Sequence, residues 1–253
     1  LTIKQPITIA HTSDVHLGDA DEPGGAFATR VFQRVIETTR QVKADILLIV
    51  GDLFDTNRVS KSTFDSAVEL INKLPIPAVL LPGNHDCYDE TSVYRRWDIE
   101  AACPNLRMLR EAQGEVLTYP ELGLKIWGRP VVVHEPEFQP LGGLPQRDGP
   151  WWHVVMAHGM YMGYGSPPPR SSPIWPKELE GTGWDYIALG HIHKFDNLSR
   201  DSTMVCYSGS PIGSLVGDGR GMITGTPGYI VVVRLVPEQP AALERVQLDG
   251  LVS

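Results

Sequence analysis

Asp45-Ile-Leu-Leu-Ile-Val-Gly-Asp52 is a short unbroken apolar run that ends on a glycine and a carboxylate. An apolar run this short, without alternation and closed by a turn signal, fits a strand covered on both faces. The same shape recurs at Ile7 to Ala10, Pro77 to Leu81, His153 to Met156 and Tyr186 to Leu189. Between the first three runs lie helical patterns. Phe27 to Val42 places Phe27, Val31, Val35 and Ile36 on one stripe, and Lys61 to Leu74 does so with Phe64, Val68 and Ile71, with Ser60 or Ser62 as its cap. The order β-α-β-α-β predicts parallel pairing in a layered α/β fold. After Gly190, Thr203 to Tyr207, Gly228 to Val236 and Ala242 to Leu248 read as antiparallel strands that finish it, which makes the sheets mixed. Glu135 to Pro150 and Tyr164 to Pro176, rich in glycine and proline, read as loops.

The residues just beyond the apolar runs carry the chemistry. Five of the eight histidines stand there, together with Asp14, Asp52 and Asn84. They fall in Ser13-Asp-Val-His16, Gly51-Asp52, Gly83-Asn-His-Asp86, Ala157-His-Gly159 and Gly190-His-Ile-His193. In open α/β sheets, ligands bind beyond the carboxyl ends of the strands. Taken singly, Gly-Asp is ordinary turn and cap chemistry, and Asp-x-His is a weak signal. Gly-Asn-His-Asp is sharper, since no turn requires a histidine there, and Gly-His-x-His sets two imidazoles on one side of a departing strand. A scattered set of hard oxygen and imidazole donors at one sheet edge is what a two-metal hydrolytic site requires.

Composition bounds the alternatives. A chain of 253 residues that is 42% hydrophobic buries a sizeable core, and one catalytic domain over residues 1–253 is the expectation. No apolar run approaches the roughly 20 residues that span a bilayer, and Thr2 to Ala10 lacks the pattern of a secretory leader, so a cytoplasmic location without membrane contact is expected. Cys87, Cys103 and Cys206 are odd in number and widely spaced, which argues for free thiols. The net charge of −8 counts against broad non-specific nucleic-acid binding, though bound cations reverse the sign locally.

In order and spacing these motifs closely resemble the calcineurin-like metallophosphoesterase superfamily. The resemblance implies a β-sandwich flanked by helices. It also implies one ion held by Asp14, His16 and His193, a second held by Asn84, His158 and His191, and Asp52 bridging both. Mixed oxygen and nitrogen donors without thiolate suit manganese, iron or zinc, with manganese favoured by the resemblance. His85 is the motif imidazole left over; it is placed to protonate the leaving oxygen, with Asp55 as the carboxylate that orients it. His11, His134 and His153 gain no support from the pattern and read as structural or solvated.

Longer strings narrow the resemblance. His11-Thr-Ser-Asp-Val-His-Leu-Gly18, Gly51-Asp-Leu-Phe-Asp55, Pro82-Gly-Asn-His-Asp86, Ala188-Leu-Gly-His-Ile-His-Lys194 and Tyr207-Ser-Gly-Ser-Pro211 are similar to the SbcD-type nucleases of double-strand-break repair. That likeness implies a DNA exo- or endonuclease with an SMC/ABC-type ATPase as partner. The DNA-capping domain usual in that branch is not evident before Ser253, which keeps small phosphodiesters or nucleotides as the alternative substrates. A non-catalytic binding module would normally have lost ligands, and here all seven positions are filled. Arg95-Arg96 is the basic pair expected to meet a phosphate backbone, ahead of Arg58, Lys61 and Lys194, and Trp175 and Trp184 are candidates for stacking on a base.

Overall fold

The computed structural model describes residues 4–22, 24–163, 172–199, 203–213, 215–217, 223–225 and 228–248. Its first half runs β1 (Ile7–Thr12), α1 (Gly25–Gln41), β2 (Ile46–Val50), α2 (Lys61–Ile71), β3 (Ala78–Leu81), α3 (Val93–Arg96), α4 (Ile99–Ala102) and β4 (Leu106–Met108). Then come β5 (Glu115–Tyr119), β6 (Leu124–Gly128), β7 (Trp152–His158), β8 (Met160–Tyr161), β9 (Pro173–Ile174), α5 (Pro176–Leu179) and β10 (Tyr186–Gly190). The chain ends with β11 (Asp196–Asn197), β12 (Met204–Tyr207), β13 (Leu215–Gly217), β14 (Ile223–Gly225), β15 (Tyr229–Leu235) and β16 (Ala242–Gln247).

Two six-stranded sheets form the body, in the orders β16-β15-β1-β2-β3-β4 and β11-β12-β10-β7-β6-β5. Strands β1 to β4 run parallel, with β15 and β16 added antiparallel. The second sheet likewise has a parallel centre of β12, β10, β7 and β6 between antiparallel edges. The mixed, layered sandwich expected from the resemblance is the fold observed.

Period-two alternation sorts the buried side chains into layers. Ile46, Leu48 and Val50 of β2 face the other sheet, where they meet Ile126, Val154, Met156, Tyr186 and Ala188. Leu47 and Ile49 point the opposite way, into a second layer with Phe27, Val31, Val35 and Ile36 of α1 and Phe64 and Ile71 of α2. Ser60 caps α2, its hydroxyl accepting from the Thr63 N–H at 3.3 Å. A third layer covers the outer face of the second sheet, where Val155, Ala157, Ile187 and Leu189 pack on Trp184 and Ile174.

Three expectations change. β12 runs parallel to β10, because the intervening segment is long enough for a crossover and turns back through β11. Trp184 is only 2% exposed and belongs to the core, so it offers no stacking face. The basic pair also separates: the Arg95 Nε–H donates to the Asp89 carbonyl at 2.9 Å and its guanidinium lies over the Tyr88 ring, whereas Arg96 donates to the Asn57 and Val59 carbonyls. Lys61 is taken up by Asp65 on its own helix. Of the loop Tyr164 to Pro176, residues 164–171 lie outside the described residues, and the rest includes the short β9. Residues 129–150 carry no helix or strand, as a loop requires.

Candidate metal centre

All seven candidate ligands stand at the carboxyl ends of parallel strands. Asp14 and His16 follow β1, Asp52 follows β2 and Asn84 follows β3, while His158 ends β7 and His191 and His193 follow β10. The loops after β1 and β2 are locked in parallel register beyond the strands. The Asp14 N–H donates to the Gly51 carbonyl and the His16 N–H to the Asp52 carbonyl, each at 3.0 Å, and the Leu17 N–H reaches the Leu53 carbonyl at 2.8 Å.

The turns that aim these side chains are strained. Asp14, His16, Asp52 and His191 have φ of 54°, 50°, 54° and 101°, a region that costs an L-residue about 1–3 kcal/mol each. Two glycines allow the approach of the loops. A Cβ on Gly51 would lie 1.9 Å from His158 Nδ1, and one on Gly190 would lie 1.9 Å from the Val50 carbonyl oxygen.

Two groups of donors result. In one, His16 Nε2 and His193 Nε2 face each other at 3.2 Å, and Asp14 Oδ1 is 3.7 Å from His193 Nε2. In the other, Asn84 Oδ1 lies 3.0 Å from His158 Nε2 and 2.8 Å from His191 Nδ1. Asp52 stands between them, its Oδ2 3.3 Å from His158 Nε2 and 3.9 Å from His16 Nε2. The donors fit divalent cations. Converging imidazole nitrogens and carboxylate oxygens need a positive charge between them, and neither group contains a thiolate.

The supports of these donors are also in place. His158 Nδ1 donates to the Val50 carbonyl at 3.0 Å, which fixes its tautomer and presents Nε2. Asp14 accepts from the His191 N–H at 3.1 Å and from the Ser13 hydroxyl at 2.5 Å, and Ser210 Oγ donates to the Asp14 carbonyl at 2.7 Å. Asp55 Oδ1 takes His16 Nδ1 at 3.0 Å, and this hydrogen bond holds the Asp55 carboxyl below its usual range. The carboxylate thus orients His16 more closely than His85, whose Nδ1 is 3.6 Å away; His85 Nδ1 donates instead to the Asp55 carbonyl, at 2.8 Å. That bond leaves His85 Nε2 without a hydrogen-bond partner among the described residues, beside His16 at 4.6 Å between ring centroids.

Electrostatics divides the imidazoles. Burial disfavours a charged His158, but the adjacent Asp52 carboxylate outweighs it and pushes the ring up to about 9. Asp52 shows the mirror image, with burial raising its pKa and the nearby histidines pulling it well below the carboxylate range. Burial lowers His191 to about 4, with help from the neighbouring charge of His158.

Two supporting residues are not evident from the sequence. Asp86, fully buried, accepts from the Gly83, Leu53 and Phe54 N–H groups at 2.7, 2.9 and 3.2 Å and from the Tyr94 hydroxyl at 2.5 Å. It ties the Asn84 turn to the Asp52 turn, and its place in the Gly-Asn-His-Asp string is the one signal of it. His134 Nε2 donates to the Asn84 carbonyl at 2.6 Å, so it touches the main chain of a candidate ligand, and no pattern in the sequence announces that. His11 and His153 are buried and structural, His11 Nδ1 pairing with the Tyr186 hydroxyl at 2.7 Å and His153 packing edge-on against Trp184.

The chain is similar to known metallophosphoesterases over most of its length. The chain is 26% identical over 244 residues to the uncharacterized metallophosphoesterase YhaO of Bacillus subtilis, covering 89% of this chain and 57% of that protein. It is 22% identical over 218 residues to the DNA double-strand break repair protein Mre11 of Saccharolobus solfataricus, covering 81% and 54%. A shorter match, 33% identical over 88 residues, links 33% of the chain to 32% of the 3',5'-cyclic-nucleotide phosphodiesterase alr5338 of a Nostoc species. The chain thus spans little more than half the length of YhaO and Mre11. Residues 7–195 match the family model described as calcineurin-like phosphoesterase. The chain belongs to the calcineurin-like phosphoesterase family, whose members are metal-dependent phosphoesterases that typically bind two divalent ions.

Proposed function

We propose that the chain is a dinuclear metal-dependent phosphodiesterase acting on DNA in the manner of the SbcD-type nucleases. The observation that carries this reading is the position of Asp52 between two donor groups, with Nε2 of His85 beside them. Asp14, His16 and His193 would hold one ion, and Asn84, His158 and His191 the other, with Asp52 shared. Ions bound there would supply the Lewis acidity that activates water and neutralises the phosphoryl oxygens. His85, its Nδ1–H committed to a carbonyl, gives a proton to the leaving oxygen from Nε2. Asp55 holds both His16 and His85, and Asp86 keeps the two acidic turns in register.

The resemblance favours manganese over iron or zinc and points to an SMC/ABC-type ATPase as partner. The match to Mre11 supports DNA as substrate, and the match to a cyclic-nucleotide phosphodiesterase supports the second reading, a small phosphodiester or nucleotide. Three buried free cysteines fit the reducing cytoplasm, and among the described residues no helix is long and apolar enough to cross a membrane. We take residues 1–253 as one catalytic unit.

Metal analysis and leaving-group kinetics test the reading. Two ions per chain are expected in the wild type and in His85→Ala, and loss of both in Asp52→Asn. His85→Ala should lose about 10²–10⁴ in turnover on alkyl leaving groups and much less on nitrophenolate, which departs without a proton. An equal loss on both would remove His85 from this role. Efficient hydrolysis of small diesters with no metal-dependent cleavage of DNA at low salt would replace the nuclease reading with the second one.

A further inference from the structure

A groove of about 550 Å³ opens beside the candidate centre, sharing His85 and Asn84 with it and extending along Asn57, Arg58, Arg96 and His134. Because His85 borders it, the groove lies on the side to which the leaving group departs. Resting on the phosphodiesterase reading, we propose that this groove is a second phosphate subsite, which holds a phosphate carried by the leaving half of the substrate. The preferred substrate is then an oligonucleotide with at least two phosphates, and a lone diester is a poor one.

The walls are built for an anion. Arg96 Nη2 is spent on the Asn57 and Val59 carbonyls and its guanidinium is stacked on Trp97, so the group is held in place while Nε and Nη1 have no partner among the described residues. Asn57 in turn is fixed at both ends of its amide, donating to the Cys87 carbonyl and accepting from the Val93 N–H, each at 2.9 Å. Arg58 is exposed, and among the described residues no carboxylate, carbonyl or ring engages its guanidinium. His134 binds the Asn84 carbonyl through Nε2 and turns its other nitrogen away from that bond. The lining carboxylate, Asp89, accepts from the Thr91 N–H and hydroxyl at 2.7 and 2.8 Å, both on Oδ1. A fixed guanidinium and an unpaired one lining the same groove offer charged donors to a phosphate, and a pre-ordered donor loses little entropy on binding.

The decisive probe is dithymidine whose internal link is a methylphosphonate, uncharged and resistant to hydrolysis, made with and without a terminal phosphate at either end. Fluorescence anisotropy on the metal-loaded protein should show one phosphorylated form binding about ten- to hundredfold tighter than the unphosphorylated one. Arg58→Glu should bring that ratio to within about twofold; the Arg58 guanidinium engages no partner among the described residues. Arg96→Ala should do the same, with a circular dichroism melt to report on the 57–59 segment it supports. Equal binding of all forms by the wild type, or an unchanged ratio in Arg58→Glu, would overturn the subsite. Cleavage of ordinary DNA is scored separately: its absence removes the nuclease reading and leaves the binding ratio to judge the groove.

Discussion

Ion uptake should be coupled to a proton on His158. Its imidazole is pushed up from 6.5 to about 9 because Asp52 outweighs the cost of burial, and a ligand nitrogen must be deprotonated. Since pH 7 lies about two units below that pKa, the ring is protonated and apparent affinity is weakened about 100-fold, or about 3 kcal/mol. Affinity should therefore climb about tenfold per pH unit toward pH 9 and then level off. His16 is raised as well, its carboxylate neighbours outweighing burial, and adds in the same direction. Stability of the metal-free protein runs the other way. A histidine with a raised pKa contributes stability that is complete below 6.5 and is lost as pH rises through about 9. His11 and His191, lowered by burial to about 3 and about 4, are held neutral and cost stability as pH falls below 6.5. The chelated protein should thus melt highest near pH 6.5, and loading with manganese should move that optimum upward. Calorimetric titration with Mn²⁺ in two buffers of different ionisation enthalpy counts the protons released. About one or two are expected at pH 7 and few above pH 9; affinity that stays flat from pH 6.5 to 8.5 with no proton release would refute the argument.

Gly190→Ala should destabilise by at least about 1–3 kcal/mol in thermal or urea unfolding, since the new methyl would sit 1.9 Å from a main-chain oxygen that has nowhere to go. Asp86→Ala leaves five buried donors unmet, the Asp52, Leu53, Phe54 and Gly83 N–H groups and the Tyr94 hydroxyl, and should cost at least about 3 kcal/mol; a wild-type urea midpoint would show that water replaces the carboxylate there.

Much of this molecule is legible in its sequence because period and burial coincide. The run Ile46 to Val50 reads as a doubly covered strand and is one, and the stripe Phe27, Val31, Val35 and Ile36 faces the sheet it is expected to cover. Strands β4, β5 and β6 are not legible, because three to five residues with partly exposed sides carry too little periodicity. Nor is the direction of β12, because pairing partners are set by chain reversal through β11, which no local pattern encodes. At the candidate centre the seven donors are adjacent as the motifs suggest, while the separation of Arg95 from Arg96 reflects carbonyl partners at Asp89 and Asn57 that only the folded loops supply.

Each donor group draws on both layers of the sandwich. Asp14 and His16 hang from one sheet and meet His193 from the other; Asn84 hangs from the first and meets His158 and His191 from the second. The two sheets are the leaves of a book joined by a greasy interleaf, and the ions would act as the clasp at its fore-edge. Chemistry and cohesion then share the same bonds, so a substitution deep in the interleaf that spreads the leaves can silence the enzyme without touching a single ligand.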